Sequence, residues 1–241
     1  MVTSSSGEAG SHAGLGGVEG YVRVAHDLRN PLAPIRTAVQ LLRMLQRDPV
    51  RSKELLDLIE RQVGHLVRLL DRLTEYGELN SEEDEIERAP ANLALAIDEA
   101  VGNCSAVIGN AGHRVELSLP ERELTLTGDS RYLAQALTYV IENAAKFQAS
   151  GGVIDVSLRR ENEQAVVRVR DQGFGMSQAT LDSLYRPFAR GNAVSPHMPN
   201  GLGLGLALAR DIVERHGGSL EVASAGEGLG SEVTIRLPLG R

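Results

Sequence analysis

Apolar residues recur at alternating steps of three and four through Ala25, Leu28, Leu32, Ile35, Val39 and Leu42. That spacing places all six on one side of a helix and predicts a single packed seam from near Val18 onward. Asp48-Pro49 breaks the run, because the residue before a proline is pushed out of helical geometry. A second run, Leu56, Ile59, Val63, Leu66, Leu70 and Leu73, keeps the same alternation and fades at Tyr76-Gly77. Two helices joined by a short turn make a hairpin. One hairpin cannot cover two apolar seams, so the pattern predicts pairing with a second copy into a four-helix bundle.

After the polar stretch "NSEEDEIERAP" the periods mix. "LALAIDEAVGNC" reads as a helix, and "HRVELSLP" and "ELTLTGD" as strands. "SRYLAQALTYVIENAAKF" is a strong helical pattern capped by Ser130 or Asp129. "GVIDVSLRR" and "QAVVRVRD" alternate in period two, as antiparallel strands with one buried face do. A Gly- and Pro-punctuated stretch follows over 172–202, then the helix "LGLALARDIVERHGG", stopped by Gly217-Gly218, and two closing strands. Strands with helices on one face predict an α+β sandwich. The chain therefore divides into a tail over 1–17, an all-α hairpin over 18–80 and an α/β sandwich over 81–241.

Composition narrows the classes. The tail carries five Gly and four Ser and cannot build a core. No stretch is apolar enough to span a bilayer, and no secretory leader is apparent, which predicts a cytoplasmic chain without membrane contact of its own. Cys104 is the single cysteine, which excludes disulfides and thiolate metal sites and suits a quiet buried thiol. The net charge is −7, with the acidic excess in 81–241. With 3% aromatics and no Trp there is no basic, aromatic surface for nucleic acid. A mononucleotide, needing only a local site, stays open.

One stretch of the first helix is out of keeping with its surroundings. "VAHDLRNPL" sets His26, Asp27 and Asn30 before a proline in a helix interior, where proline costs roughly 3 kcal/mol. Pro31 and Pro34 cannot donate to the carbonyls of Asp27 and Asn30, which predicts a bend just after His26.

Two Gly-rich pieces, "DQGFGM" at a strand end and "GLGLGLALA" at a helix start, let backbone amides approach phosphate oxygens. Neither is a dinucleotide fingerprint or a P-loop. Their order after a helix bearing Asn143 and Lys146 raises their weight. An Asn143 amide oxygen suits Mg²⁺, Lys146 shares its helix face, and Asp171 can accept from an exocyclic amine such as that of adenine.

These pieces resemble the transmitter core of a sensor histidine kinase over roughly residues 18–240. "HDLRNPL" is similar to the family's H-box, "ENAAKF" to its N-box, "DQGFGM" to its G1 box, "YRPFARG" to its F-box and "GLGLGLALA" to its G2 box. The resemblance implies a dimerisation and phosphotransfer hairpin followed by a Bergerat-type ATP-binding domain, with ATP and Mg²⁺ under a lid near 176–200. It implies a homodimer that autophosphorylates and passes the phosphoryl group to an aspartate of a response regulator receiver domain.

Carried over by position, His26 matches the phosphorylated histidine, Asp27 the acidic neighbour that accepts from Nδ1–H, and Asn30 the residue that orients water in dephosphorylation. Asn143 matches the Mg²⁺ ligand and Asp171 the adenine-recognising carboxylate. Gly173, Gly175, Gly201, Gly203 and Gly205 match flexible or phosphate-facing glycines. Lys146 and Arg190 match phosphate-reaching positions, and Phe188 a lid anchor. His65, His113, His197 and His216 read as structural or solvated.

Tyr139 departs from the family, standing where the kinases carry Asn and the related ATPases Glu. A tyrosine is no general base for water at neutral pH, which argues against those ATPases. It also keeps a second reading in play: a kinase-impaired nucleotide-binding module that docks or dephosphorylates a response regulator. Arg186 replaces a commonly acidic residue and is assigned no role.

Overall fold

The computed structural model describes residues 17–44, 48–79, 86–185 and 202–240. Helix α1 (Gly17–Met44) runs unbroken through Pro31 and Pro34, so the prolines remove hydrogen bonds without ending it. Helix α2 (Pro49–Leu79) begins at the predicted break, and the break has a capping function. Asp48 Oδ1 accepts from the amides of Val50 and Arg51 at 3.1 Å each, and Pro49 takes the first-turn position where its missing amide is harmless.

Within the hairpin the buried residues, among those described, are Val24, Asp27, Pro31, Ala38, Leu69 and Tyr76, all off the predicted seam. The seam itself is left half open: Leu32 is 50% exposed, Leu56 53% and Leu70 49%. The 3/4 pattern thus marks a face that a single chain does not cover.

Strand β1 (Ala89–Asn92) pairs antiparallel with β3 (Thr125–Gly128) in a two-stranded sheet. A larger sheet has the order β2-β4-β5-β7-β6 and comprises β2 (Arg114–Ser118), β4 (Val153–Glu161), β5 (Gln164–Asp171), β6 (Ser219–Ala223) and β7 (Ser231–Pro238). β2 runs parallel to β4, and the other pairs are antiparallel. Period two is visible along β4, where Ile154, Val156 and Leu158 are buried and Asp155 is exposed.

The covering helices are α3 (Leu93–Asn103), α5 (Ser130–Lys146) and α7 (Gly205–Arg215). Asn92 caps α3 through Oδ1, which accepts from Ala94 N at 2.9 Å. Of the two capping candidates for α5 the structure selects Asp129, whose Oδ1 accepts from Arg131 N at 3.0 Å. The central core joins Leu133 and Ile141 of α5, Leu208 and Ile212 of α7, and Ile154, Leu158 and Ile235 of the sheet, all under 2% exposed or at 2%. Burying such side chains supplies about 1.5–3 kcal/mol each.

Three short elements escape the sequence pattern: β1, α4 (Ser105–Asn110) and α6 (Gln178–Ser183). Each spans fewer than two helical turns or four extended residues, too few to display a period. β1 also contains Pro90, tolerable only because the strand belongs to a two-stranded edge pair. The histidines expected to be structural include two that are. His113 Nε2 lies 2.9 Å from Ala145 O and its Nδ1 accepts from Gly152 N; His216 Nε2 accepts from Asp129 N at 3.0 Å. Cys104 is buried, and burial pushes its thiol up to about 12, so it is inert as a nucleophile.

Candidate functional site

His26 stands on α1 with its side chain 70% exposed, while Asp27 beside it is buried. The ring's Nδ1 is 3.4 Å from Asp27 Oδ1 and 3.3 Å from Asn30 Nδ2, one turn along. Nδ1 cannot donate to Asp27 and accept from Asn30 together. Turning the Asn30 amide end for end faces its oxygen to Nδ1, and both neighbours then suit an Nδ1–H tautomer. That tautomer leaves the Nε2 lone pair directed away from the two partners and open to solvent. A neutral imidazole with one nitrogen so held is a competent nucleophile.

The second cluster gathers around α5. The backbone of Phe147, which caps the end of α5, accepts from Phe174 N at 2.8 Å and ties the helix to the "DQGFGM" loop. The start of α7 meets the same helix near Tyr139, whose Cβ lies 3.8 Å from where a Gly205 Cβ would stand. Three segments far apart in sequence are thereby brought together. Asn143 lies on α5 between Tyr139 and Phe147, and no hydrogen bond to its side-chain amide occurs among the described residues.

Asp171, at the end of β5, is buried at 6% exposure. Its Oδ1 accepts from Gly173 N at 2.8 Å and Ser231 N at 3.2 Å, and its Oδ2 from the Ser231 hydroxyl. These bonds fix the carboxylate's orientation. Oδ1 is filled by its two donors, and Oδ2 keeps lone-pair capacity for a further donor such as an exocyclic amine.

The loop glycines are required by contact. A Cβ on Gly173 would meet Phe147 O at 2.1 Å, and one on Gly175, where φ is +62°, would meet Gly226 O at 2.0 Å. Gly203 also has positive φ, and α7 opens without a side-chain cap, since Leu204 supplies none. Helix N-terminal amides left without a side-chain acceptor suit a phosphate. Asn143, Asp171 and the uncapped α7 start therefore fit ATP: a hard oxygen ligand for its Mg²⁺, an acceptor for its base and donors for its phosphates.

Lys146 is placed otherwise than its family position implies. Its Nζ lies 2.5 Å from Glu142 Oε1, and Glu142 also pairs with Arg72 of α2. Burial, then Arg72, holds the Lys146 ammonium below its ordinary value, against the pull of Glu142. Tyr139 directs its hydroxyl to Glu75 of α2, and burial together with that bond pushes the phenol up. Arg190, Gly201, Phe188, Arg186 and His197, and most of the expected lid, lie outside the described residues.

Sequence reasoning missed the β6–β7 turn. Ser224 Oγ accepts from Met176 N at 3.0 Å and donates to Gly230 O, and Gly230 N donates to Gly173 O at 3.1 Å. A Cβ on Gly230 would meet Asp171 O at 2.2 Å. The "GLGSE" cluster was its only sequence signal.

Comparison with known proteins agrees with this geometry. Residues 23–82 match the profile of the His Kinase A (phospho-acceptor) domain. Residues 128–241 match that of the histidine kinase-, DNA gyrase B- and HSP90-like ATPase. The chain is 30% identical over 210 residues to the sensor protein KdpD of Clostridium acetobutylicum, covering 85% of this chain and 23% of that protein. It is 29% identical over 218 residues to the histidine protein kinase DivJ of Caulobacter vibrioides, covering 90% of this chain and 36% of that protein. The chain thus spans well under half the length of these relatives.

Among solved structures, histidine kinase ThkA in complex with response regulator protein TrrA gives a TM-score of 0.73 at 21% identity, over 92% of this chain and 62% of that one. The Acinetobacter baumannii histidine kinase AdeS gives 0.68 at 21% identity, over 90% of this chain and 98% of that one. At such identity these two likenesses establish the fold. With a phospho-acceptor hairpin and an ATPase domain matched in series, the chain belongs to the sensor histidine kinase family and carries its transmitter core.

Proposed function

We propose that this chain phosphorylates its own His26 from ATP and hands the phosphoryl group to an aspartate of a response regulator receiver domain. The observation that carries this reading is the His26 ring, open to solvent at Nε2 and held at Nδ1 by Asp27 and Asn30, in a chain that also folds an ATPase domain. ATP supplies the phosphoryl group, and Mg²⁺ neutralises charge on its phosphates.

His26 offers the Nε2 lone pair; Asp27 holds the proton at Nδ1 and stabilises the positive charge that grows on the ring. Asp171 would hold the adenine, Asn143 the metal ion, and Gly173, Gly175, Gly203 and Gly205, with Gly201 and Arg190, the loops around the phosphates. Asn30, one turn from His26, would orient water when a phosphorylated regulator is hydrolysed. A regulator as partner is supported by the titled complex of the ThkA neighbour.

A homodimer is part of this reading. Leu32, Leu56, Val63, Val67 and Leu70 line an open apolar face on a hairpin that matches the phospho-acceptor profile. We take 18–80 and 81–241 as the two working units. No helix among the described residues is long and apolar enough to cross a membrane, which suits the cytoplasmic part of a sensor.

Incubation with γ-labelled ATP and Mg²⁺ tests the proposal. An acid-labile, base-stable label that is absent from His26→Gln and chases onto a receiver domain is the expected result. Absence of label at every protein concentration overturns it and leaves the nucleotide-binding module.

A further inference from the structure

Immediately after Phe147 the chain buries an amide side chain beside the loop over 171–176. Gln148 is 6% exposed. Its Oε1 accepts from Gln172 N at 3.3 Å, while its Nε2 meets no acceptor among the described residues. A buried donor without a partner is costly, so packing alone does not account for an amide at this position. Turning the amide end for end would set Nε2 against the Gln172 amide, donor against donor. Gln172 therefore fixes which way the side chain points.

Gln172 follows Asp171, and three consecutive amides hold the start of the loop. Gln172 N donates to Gln148 Oε1, Gly173 N to Asp171 Oδ1 at 2.8 Å, and Phe174 N to Phe147 O at 2.8 Å. The outer two bonds tie the loop to the end of α5, and the middle one ties it to the carboxylate. The Gly173 peptide cannot turn without carrying Asp171 Oδ1 along, and the bonds on either side of it resist that turn. Ser231 holds the carboxylate from the other direction, so removing Gln148 would loosen Asp171 without releasing it.

Gln148 lies in a space that a glycine leaves. A Cβ on Gly152 would meet Gln148 Oε1 at 2.5 Å. The Gly152 backbone is held at both groups: its amide donates to His113 Nδ1 at 3.1 Å, and its carbonyl accepts from Arg114 N at 3.0 Å. An added methyl would therefore push the Gln148 side chain and not the strand. We propose that Gln148, seated against Gly152, is a positioning residue for base recognition, acting through the Gln172 amide to set Asp171 Oδ2 toward the exocyclic amine of adenine. The proposal rests on the reading of Asp171 as the acceptor for that amine.

Binding without reaction tests it. Calorimetry on the full chain compares ADP with purine riboside diphosphate, which lacks only the exocyclic amine. The native protein should bind ADP the more tightly. In Gln148→Ala, ADP binding should weaken about fivefold, as for loss of one hydrogen bond, while binding of the analogue changes by less than about twofold. Gly152→Ala, which displaces the Gln148 side chain without altering its chemistry, should give the same pattern and covers the case in which Gln148→Ala fails to fold. The double variant should be no worse than Gln148→Ala, because both changes act by one route.

An equal loss for both nucleotides overturns the proposal, since Gln148 would then support the domain as a whole and not the carboxylate. So does an undiminished preference for ADP in Gln148→Ala, or a double variant in which the two losses add. If the native protein binds both nucleotides alike, the reading of Asp171 fails and takes this proposal with it. If the native protein prefers ADP and the variants keep that preference in full, only the role of Gln148 falls.

Discussion

The hairpin and the ATP-binding domain handle apolar surface in opposite ways. In the ATP-binding domain α5 lies against α3, α7 and the sheet, and Leu133, Leu137, Val140 and Ile141 are almost wholly removed from water. In the hairpin α1 and α2 have only each other and one side of that domain, and a line of Leu and Val side chains remains about half exposed. Exposed apolar residues scattered singly are ordinary, but a contiguous face on long helices marks an interface. The difference teaches that one half of the molecule buries its apolar surface within itself, while the other leaves a face open, as the proposed homodimer requires.

The largest expected effect separates these two regimes. Ile141→Ala, in the closed core, should destabilise the ATP-binding domain by about 2–5 kcal/mol in urea unfolding, whereas Leu70→Ala measured on monomer should cost far less. Equal losses would mean that the two halves bury apolar surface alike. Next, Leu70→Lys should leave circular dichroism of the monomer unchanged and shift sedimentation equilibrium from dimer to monomer. A persistent dimer would remove this face from the bundle interface.

The smallest effect is on pH, and it concerns the seam between the halves. His65 is held below its ordinary 6.5 by burial, then by Arg68, Lys146 and Arg72, against the opposing pull of Asp27. The unfolded chain therefore binds this proton more tightly. Stability is full above 6.5 and is lost as pH falls from there to the lowered folded value. Glu142 sits below 4.5: burial opposes its charge, but Arg72 and Lys146 more than offset that, so its contribution goes only as pH falls through a lower window. Hydrogen-exchange protection along α2 and α5, corrected for the intrinsic pH dependence of amide exchange, should fall as pH is lowered from 7.5 to 5.5, and His65→Asn should flatten that step. An equal step in the variant would assign it elsewhere.

Much of this could be read from residue order. Long amphipathic helices, alternating strands and glycine-marked turns declare themselves because period and backbone freedom are local properties. The H-box cluster was equally visible, since His26, Asp27 and Asn30 lie within five residues and face each other across a single helical turn. β1, α4 and α6 were not legible, being shorter than any period. Ser224, Gly230 and Ser231 acquire their place only when β7 pairs with β5 and sets Ser231 opposite Asp171.

Tyr139 and Lys146 draw the line most clearly. By sequence both belong to the nucleotide-side motif, Lys146 at a phosphate-reaching position and Tyr139 where the family's kinases carry Asn. Folding turns them to α2, where Glu75 and the Arg72–Glu142 pair receive them. Sequence alone determined the long elements, the family and the grouping of His26, Asp27 and Asn30, because each rests on residues that are neighbours along the chain. Tertiary structure decided how Asp171 is held, which face of the hairpin stays open and where the domains lock. Those depend on side chains 60 to 70 positions apart, whose pairing follows from the packing of whole elements and from the cost of burying charge without a partner.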